Sequence, residues 1–159
     1  MKRYWKLALI PFLIFLVGAM IGFYQERKAQ ENVGKTYIRF PFAVEQVDCV
    51  EVFYYTERSD IDKYIIDDKE TVNYLYSTFE SIALSDKPSG SPNEPNVTVY
   101  RFNLDNSNKF ELIYEGYGVK NGVLTLLDNS ISYFTSADLN RLAVHGLDPV
   151  AADESELPN

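Results

Sequence analysis

An uninterrupted apolar segment near the N-terminus constrains this chain more than any other feature. Leu7 to Tyr24 contains eighteen residues and no charged side chain. As a helix rising ~1.5 Å per residue, it would be about 27 Å long, close to the thickness of the hydrocarbon core of a bilayer. Pro11 is compatible with a helix that spans a membrane. The sequence therefore predicts a transmembrane signal-anchor helix over residues 7–24.

The charges before this segment predict its orientation. Lys2, Arg3 and Lys6 precede it and no acidic residue does, which favours a cytoplasmic tail over residues 1–6 and an extracytoplasmic domain. The alternative is secretion after signal cleavage near Ala19, where small residues suit a signal peptidase. The apolar run continues beyond Ala19, so we favour the uncleaved anchor in the cell membrane.

The rest of the chain divides by composition into three parts. Residues 25–35 are polar and predict a linker, residues 36–147 predict the folded domain, and residues 148–159 predict a disordered acidic tail. Three of the 15 basic residues and none of the 23 acidic residues precede Gln25, so the remainder carries a formal charge of −11. Phosphate backbones would repel such a domain, which excludes nucleic acid as a partner. A cationic partner is compatible with this charge, and so is a surface that serves solubility alone.

Hydrophobic periodicity predicts the elements of the domain. β-branched and aromatic runs predict strands at Val47–Thr56, Lys63–Ile66, Val97–Leu104, Phe110–Glu115, Val123–Leu127 and Ile131–Phe134. Asp67–Leu84 predicts a helix with Asp67 as its cap and an apolar stripe through Val72, Leu75, Phe79, Ile82 and Ala83. A short final helix, Ala137 to His145, would end at Gly146.

This order of elements predicts an α+β fold. We expect a curled antiparallel sheet of five to six strands packed on one main helix, with a short C-terminal helix and the N-terminal transmembrane helix in addition. Strands that follow one another along the chain favour antiparallel pairing, and the apolar stripe of the main helix would cover one face of the sheet.

The residue inventory excludes most chemistry that leaves a recognisable pattern. One cysteine, Cys49, and one histidine, His145, leave no thiolate zinc site and no site with two histidines. Asp60, Asp62, Asp67 and Asp68 lie close together in the sequence, but their spacing does not match an EF-hand, and capping and a solvated turn explain them. We therefore predict no enzymatic activity, no catalytic residue, no metal site and no cofactor.

Tyrosines are the remaining candidates for a functional surface. The chain has 12 tyrosines, and exposed tyrosines often form binding surfaces. Gly116 and Gly118 interrupt the pattern of a strand around Tyr117, which makes this segment the first place to expect an exposed patch. Tyr114, Tyr117 and Tyr133 are the predicted partner-binding patch.

Several segments carry a resemblance to other proteins. Val99–Leu104, Phe110–Tyr114, Lys120–Gly122 and above all Tyr133–Leu139 (YFTSADL) resemble a group of uncharacterised small secreted, lipid-anchored or membrane-anchored proteins of Gram-positive bacteria. The resemblance covers about residues 45–145. Many of those proteins carry a cysteine for lipid attachment, which this chain lacks. The resemblance implies a location in the cell envelope and the extent of the domain, but no activity.

Together these observations predict a membrane-anchored, extracytoplasmic binding or sensing module that is not an enzyme. Its partners would be the membrane, through the N-terminal helix, and an envelope protein or the cell wall. Two alternatives stay open. One is a structural accessory subunit of a membrane complex, and the other is a hydrolase of wall or extracellular substrates that uses two carboxylates.

Overall fold

The computed structural model describes residues 35–85, 96–117, 122–127 and 131–158. The predicted cytoplasmic tail (residues 1–6) and the predicted transmembrane helix (residues 7–24) lie outside these residues. So do residues 25–34 of the predicted linker. Within the described residues, no helix is both long and apolar enough to cross a membrane. The chain from Thr36 onward forms one compact unit.

One large antiparallel sheet dominates the described residues. Its strands are β1 (Lys35–Tyr37), β2 (Val47–Tyr55), β3 (Ile61–Ile66), β4 (Ala83–Ser85), β5 (Asn96–Leu104), β6 (Lys109–Gly116), β7 (Gly122–Leu126), β8 (Ile131–Thr135) and β9 (Val150–Ala151). They lie in the order β1-β4-β8-β7-β6-β5-β2-β3-β9. The single α-helix among the described residues, α1, spans Lys69–Ser81, and short 3₁₀ helices span Val44–Gln46 and Glu154–Glu156.

The predicted fold class is therefore wrong. The described part of the chain is mainly β, with nine strands and a single α-helix, where we expected an α+β fold of five to six strands. The additional strands β1, β4 and β9 contain only two or three residues each. Alternation needs about four residues to be recognised, so segments this short leave no pattern in the sequence.

The predicted C-terminal helix is also wrong, because residues 137–145 form turns. Arg141 and Ala143 have φ of 49° and 65°, in the left-handed region that a right-handed helix excludes. The Tyr100 hydroxyl donates to Leu139 O (2.5 Å) and accepts from Leu142 N (2.8 Å). This buried hydroxyl satisfies backbone groups that a helix would otherwise pair, and the tertiary contact overrides local propensity.

The start of α1 differs by one residue from the prediction, whereas its buried face agrees. Asp68, not Asp67, is the N-cap, and its carboxylate accepts from Thr71 N at 2.8 Å. Val72, Leu75 and Phe79 are the buried residues of α1, which confirms the apolar stripe over these three positions. The predicted end at Leu84 is wrong, because Ile82 is the C-cap and Ala83 begins β4. α1 covers one face of the sheet, here called the helix face.

The two faces of the sheet carry separate apolar clusters. The helix-face cluster includes Val50, Val52, Tyr100, Phe102, Leu112, Tyr114 and Leu124 with the stripe of α1. The cluster on the other face, here called the tail face, is smaller and consists of Phe53, Tyr55, Val99 and Leu157. Because β2 contributes to both clusters, its sequence is apolar without interruption from Val52 to Tyr55.

The C-terminal segment (residues 150–157) is ordered and packs on the tail face. The disordered acidic tail predicted over residues 148–159 is therefore wrong for this segment. β9 pairs with β3, and Leu157 is 6% exposed against Phe53 and Val99. Composition alone predicts disorder for so acidic a stretch. One buried leucine and the basic residues of the tail face supply contacts that composition does not reveal.

Candidate functional site

A concavity of about 360 Å³ lies at the end of the β2–β3 hairpin, here called the hairpin cleft. Its lining residues are Tyr54, Tyr55, Thr56, Glu57, Asp60, Asp62 and Arg141. Three carboxylates and one guanidinium give it a formal charge of −2. A concave surface with this charge favours cationic groups over anionic ones.

Strand register brings the central pair of the cleft together. Tyr54 on β2 lies directly opposite Asp62 on β3, and directly opposite residues of an antiparallel pair project on the same face. The turn between them is closed by a hydrogen bond in which Asp60 N donates to Glu57 O at 3.0 Å. The hairpin therefore places an aromatic ring and a carboxylate side by side and surrounds them with further acidic groups.

Arg141 approaches this pair from the loop that follows β8. Its Cζ atom lies 3.9 Å from the centroid of the Tyr54 ring, and its Nη2 lies 2.6 Å from Asp62 Oδ2. The guanidinium thus makes a cation–π contact and an ion pair at once. Its side chain is 47% exposed, so the group lies at the mouth of the cleft.

Two buried polar atoms have no hydrogen-bond partner in the described part of the chain: Thr98 Oγ1 and Asn140 Oδ1. Thr98 lies opposite Tyr54 in the register of β5 with β2, and Asn140 immediately precedes Arg141. An unpaired buried polar atom costs about 1–3 kcal/mol, and such atoms in folded proteins often mark functional sites. Neither residue lines the hairpin cleft itself, although each is next to a residue that does.

A second group of charged side chains lies on the tail face, and its members form ion pairs with one another. Arg101 pairs with Glu111 (Nε to Oε1, 2.5 Å) and with Glu51 (Nη1 to Oε2, 3.2 Å). Lys63 Nζ lies 2.8 Å from Glu51 and 2.6 Å from Glu156. Arg101 Nη2 also donates to Glu156 O at 2.5 Å. The group holds the C-terminal segment against the sheet, which is a structural role.

These contacts shift the pKa values of the acidic and basic partners in opposite directions. Burial raises the pKa of Glu51, but hydrogen bonds from Lys63, Asn103 and Arg101 outweigh it, so the net pKa is lowered. Burial lowers the pKa of Lys63, but its bonds to Glu156 and Glu51 outweigh it, so the net pKa is raised. Both groups are therefore stabilised in their charged forms.

Stability should depend on pH through this group. The pKa of Glu51 is lower in the folded than in the unfolded chain, so its contribution is complete above its ordinary value of 4.5 and declines as the pH falls below it. The raised pKa of Lys63 gives the opposite sign, a contribution complete below 10.5 and lost above it. Glu51→Gln should flatten the loss of unfolding free energy below pH 4.5, measured by urea denaturation.

Glu80→Gln is the matched control for that experiment, because Glu80 is an exposed glutamate on α1. Its pH profile should follow that of the unmodified chain. An unaltered acid limb in Glu51→Gln would contradict the stabilising role of the Glu51 carboxylate.

Two of the three predicted patch tyrosines, Tyr114 and Tyr133, belong to the helix-face cluster. Tyr114 is fully buried, and its hydroxyl donates to Ala137 O at 3.0 Å. Tyr133 is half-buried and packs against the helix-face cluster. The Tyr117 hydroxyl donates to Glu115 at 2.9 Å. Burial and this bond raise the pKa of Tyr117 to about 12. The three hydroxyls are not brought to one exposed surface.

The acidic residues that cluster in the sequence separate in the structure. Asp62 pairs with Arg141 and Asp68 caps α1. The two carboxylates therefore have different partners and do not form one site. Among the described residues, no three or more His, Cys, Asp or Glu side chains are grouped so that they could hold a metal ion.

Sequence reasoning missed Arg141 as a member of the cleft, because it assigned that residue to a helix. Arg141 and Asp62 are 79 residues apart, and no local pattern connects them. One signal was available: Arg141 is the only lysine or arginine after Lys120. A lone cation within a long acidic stretch is expected to find a carboxylate, although the sequence does not say which one.

Comparisons of the chain with protein-family models, with curated proteins and with solved structures found no match. The resemblance drawn from the sequence therefore stays a prediction, and the geometry of the described residues carries the functional argument.

Proposed function

We propose that this chain is a membrane-anchored, extracytoplasmic binding module that is not an enzyme, and that its hairpin cleft receives a cationic group of its partner. The observation that carries the proposal is the Tyr54–Asp62 pair at the centre of the cleft. An aromatic face next to a carboxylate is a combination that proteins use to bind organic cations. The location rests on the sequence of residues 1–24.

The electrostatics of the domain support a cationic partner. Residues from Gln25 onward carry a formal charge of −11, as counted above, so the field of the domain attracts positive groups before contact. In the described part of the chain, no cation pairs with the carboxylates of Glu57 and Asp60 in the cleft. A protein or wall polymer that presents guanidinium or ammonium groups would fit this surface.

The chemistry of the cleft does not favour catalysis. The Thr56 hydroxyl donates to Asn96 Oδ1 at 2.9 Å, so it has no general base as its acceptor, as a nucleophile would require. Asp62 is occupied by Arg141. Recognition of a cation needs only the charge and the ring, and both are present.

Peptide binding to the full chain in lipid nanodiscs tests the proposal. A short arginine- and lysine-rich peptide should bind in isothermal titration calorimetry, and added salt should weaken its binding, whereas an acidic peptide of equal length should not bind. Asp62→Asn should weaken binding about threefold to tenfold. Asp105→Asn, which removes an exposed carboxylate from the β5–β6 turn, should have no effect.

Two results would contradict the proposal. Equal affinity for the basic and acidic peptides would remove the cleft charge as the basis of recognition. For the location, a protease that cannot cross membranes should digest the domain on intact cells. Protection of the domain there, with digestion only after lysis, would place it in the cytoplasm.

A further inference from the structure

We infer that the hairpin cleft is a guanidinium site occupied by the chain's own Arg141, and that an arginine side chain of the partner enters by displacing it. This inference rests on the proposed function, since it names the group that the cleft selects and the step that opens it. The Arg141 guanidinium itself supports this inference, because it contacts both members of the central pair of the cleft, Tyr54 and Asp62.

The two contacts select a planar cation. The guanidinium lies 3.9 Å from the centroid of the Tyr54 ring and donates from Nη2 to Asp62 Oδ2 at 2.6 Å. A flat, delocalised group can stack on a ring while its edge donates to a carboxylate, whereas an ammonium is a compact and strongly hydrated point charge. The cleft should therefore prefer arginine to lysine.

Arg141 is held in the cleft weakly enough to leave. The side chains of Arg141 and Asp62 are 47% and 37% exposed, and ion pairs this exposed contribute little. The observed contact is therefore one from which a competing guanidinium can displace Arg141.

The loop around Arg141 is fixed, so only the side chain needs to move. Leu139 is buried in the helix-face cluster and its carbonyl accepts from Tyr100, while Val144 is buried on the other side of Arg141. The amide of Asn140 packs directly on Gly116, where an added Cβ would clash with Asn140 Nδ2. These anchors hold the backbone while the exposed guanidinium swings out.

The remaining cleft residues suggest how a partner would compete. A tethered side chain acts at an effective concentration of the order of mM, so a lone guanidinium from solution competes poorly. Glu57 and Asp60 add two carboxylates to the cleft, so a peptide with a second cation gains contacts that Arg141 does not make. The ligand class is thus a peptide segment with an arginine and a neighbouring basic residue.

Removal of the occupant tests the inference on the full chain in nanodiscs. Arg141→Gly deletes the guanidinium and also suits the left-handed φ, and its unfolding curve verifies the fold. We expect it to bind triarginine about tenfold more tightly than the unmodified chain, since apparent affinity rises with the fraction of open sites. Methylguanidinium should shift the Tyr54 ring resonances of this variant at lower concentrations than methylammonium does.

Arg39→Ala is the charge-matched control. Arg39 is exposed and follows β1, at the opposite edge of the sheet from β3. Arg39→Ala lowers the net charge by the same amount as Arg141→Gly. If both variants gained affinity for triarginine equally, the gain would be a general charge effect and would overturn the inference.

The outcomes separate this inference from the proposed function. If Arg141→Gly binds triarginine no better than the unmodified chain, while Asp62→Asn still weakens binding of the basic peptide, displacement is refuted and the binding module stands. If Arg141→Gly gains affinity for methylguanidinium, while the unmodified chain binds no basic peptide, Arg141 is an occupant but the proposed function fails. Equal shifts with methylammonium would overturn the preference for guanidinium.

Discussion

Replacement of Arg101 by methionine should lower the free energy of unfolding by about 3 kcal/mol. The Arg101 side chain is 7% exposed and pairs with Glu51 and Glu111, which are 17% and 19% exposed. Removing one partner of a buried ion pair leaves an uncompensated charge and costs about 3–5 kcal/mol. We expect the lower end, because Lys63 still pairs with Glu51. Urea denaturation followed by circular dichroism measures the change.

Arg58→Met is the matched control for this prediction. Arg58 also pairs with a glutamate, Glu154, but the two side chains are 57% and 60% exposed. Exposed pairs contribute about 0–1 kcal/mol, so this variant should remain close to the unmodified chain. A loss below about 1 kcal/mol for Arg101→Met would mean that water reaches Glu51 and Glu111 freely, against their low exposure.

Replacement of Phe79 by alanine should have an effect of similar or larger size, about 3–5 kcal/mol. Phe79 is fully buried between α1 and the sheet. Its ring meets Tyr100 edge-on, with centroids 4.9 Å apart, and lies 6.1 Å from Phe102. The substitution removes these contacts and leaves a cavity that the surrounding strands cannot close. The same denaturation experiment measures it.

Tyr74→Ala provides the comparison on the same helix. Tyr74 is 54% exposed, so its truncation removes little buried area, and alanine favours a helix. We expect a change within about 0.5 kcal/mol. If both variants lost the same stability, the burial of Phe79 would not be the cause, and the packing of α1 on the sheet would need revision.

The parts of the fold that follow from local periodicity could be predicted from the sequence. The stripe of Val72, Leu75 and Phe79 identified α1, and runs of β-branched and aromatic residues identified the six longer strands. The short strands β4 and β9 could not be identified, since their pairing depends on neighbours that are distant in the sequence. The turns around Arg141 depend on the Tyr100 hydroxyl, which local propensity does not include.

The candidate site was less accessible to prediction than the fold. The aromatic residues and the acidic turn were recognised, but Tyr54 and Asp62 face each other only through the register of β2 with β3. The same holds on the tail face, where register aligns Glu51, Arg101 and Glu111 across three strands. Each charge is unremarkable in its own strand, and its partner is defined only once the strands are paired.

The pairing of β2 with β5 also determines when this domain can fold. Glu51 and Arg101 face each other across these strands and are 50 residues apart, while Lys63 and Glu156 are 93 residues apart. The β2–β3 hairpin and the meander from β5 to β8 pair strands that are adjacent in the sequence. The pairing of β2 with β5 joins these two parts and closes a long loop, which slows folding. A chain emerging from a ribosome or a translocation channel would therefore stay incompletely folded until residues 150–157 had emerged.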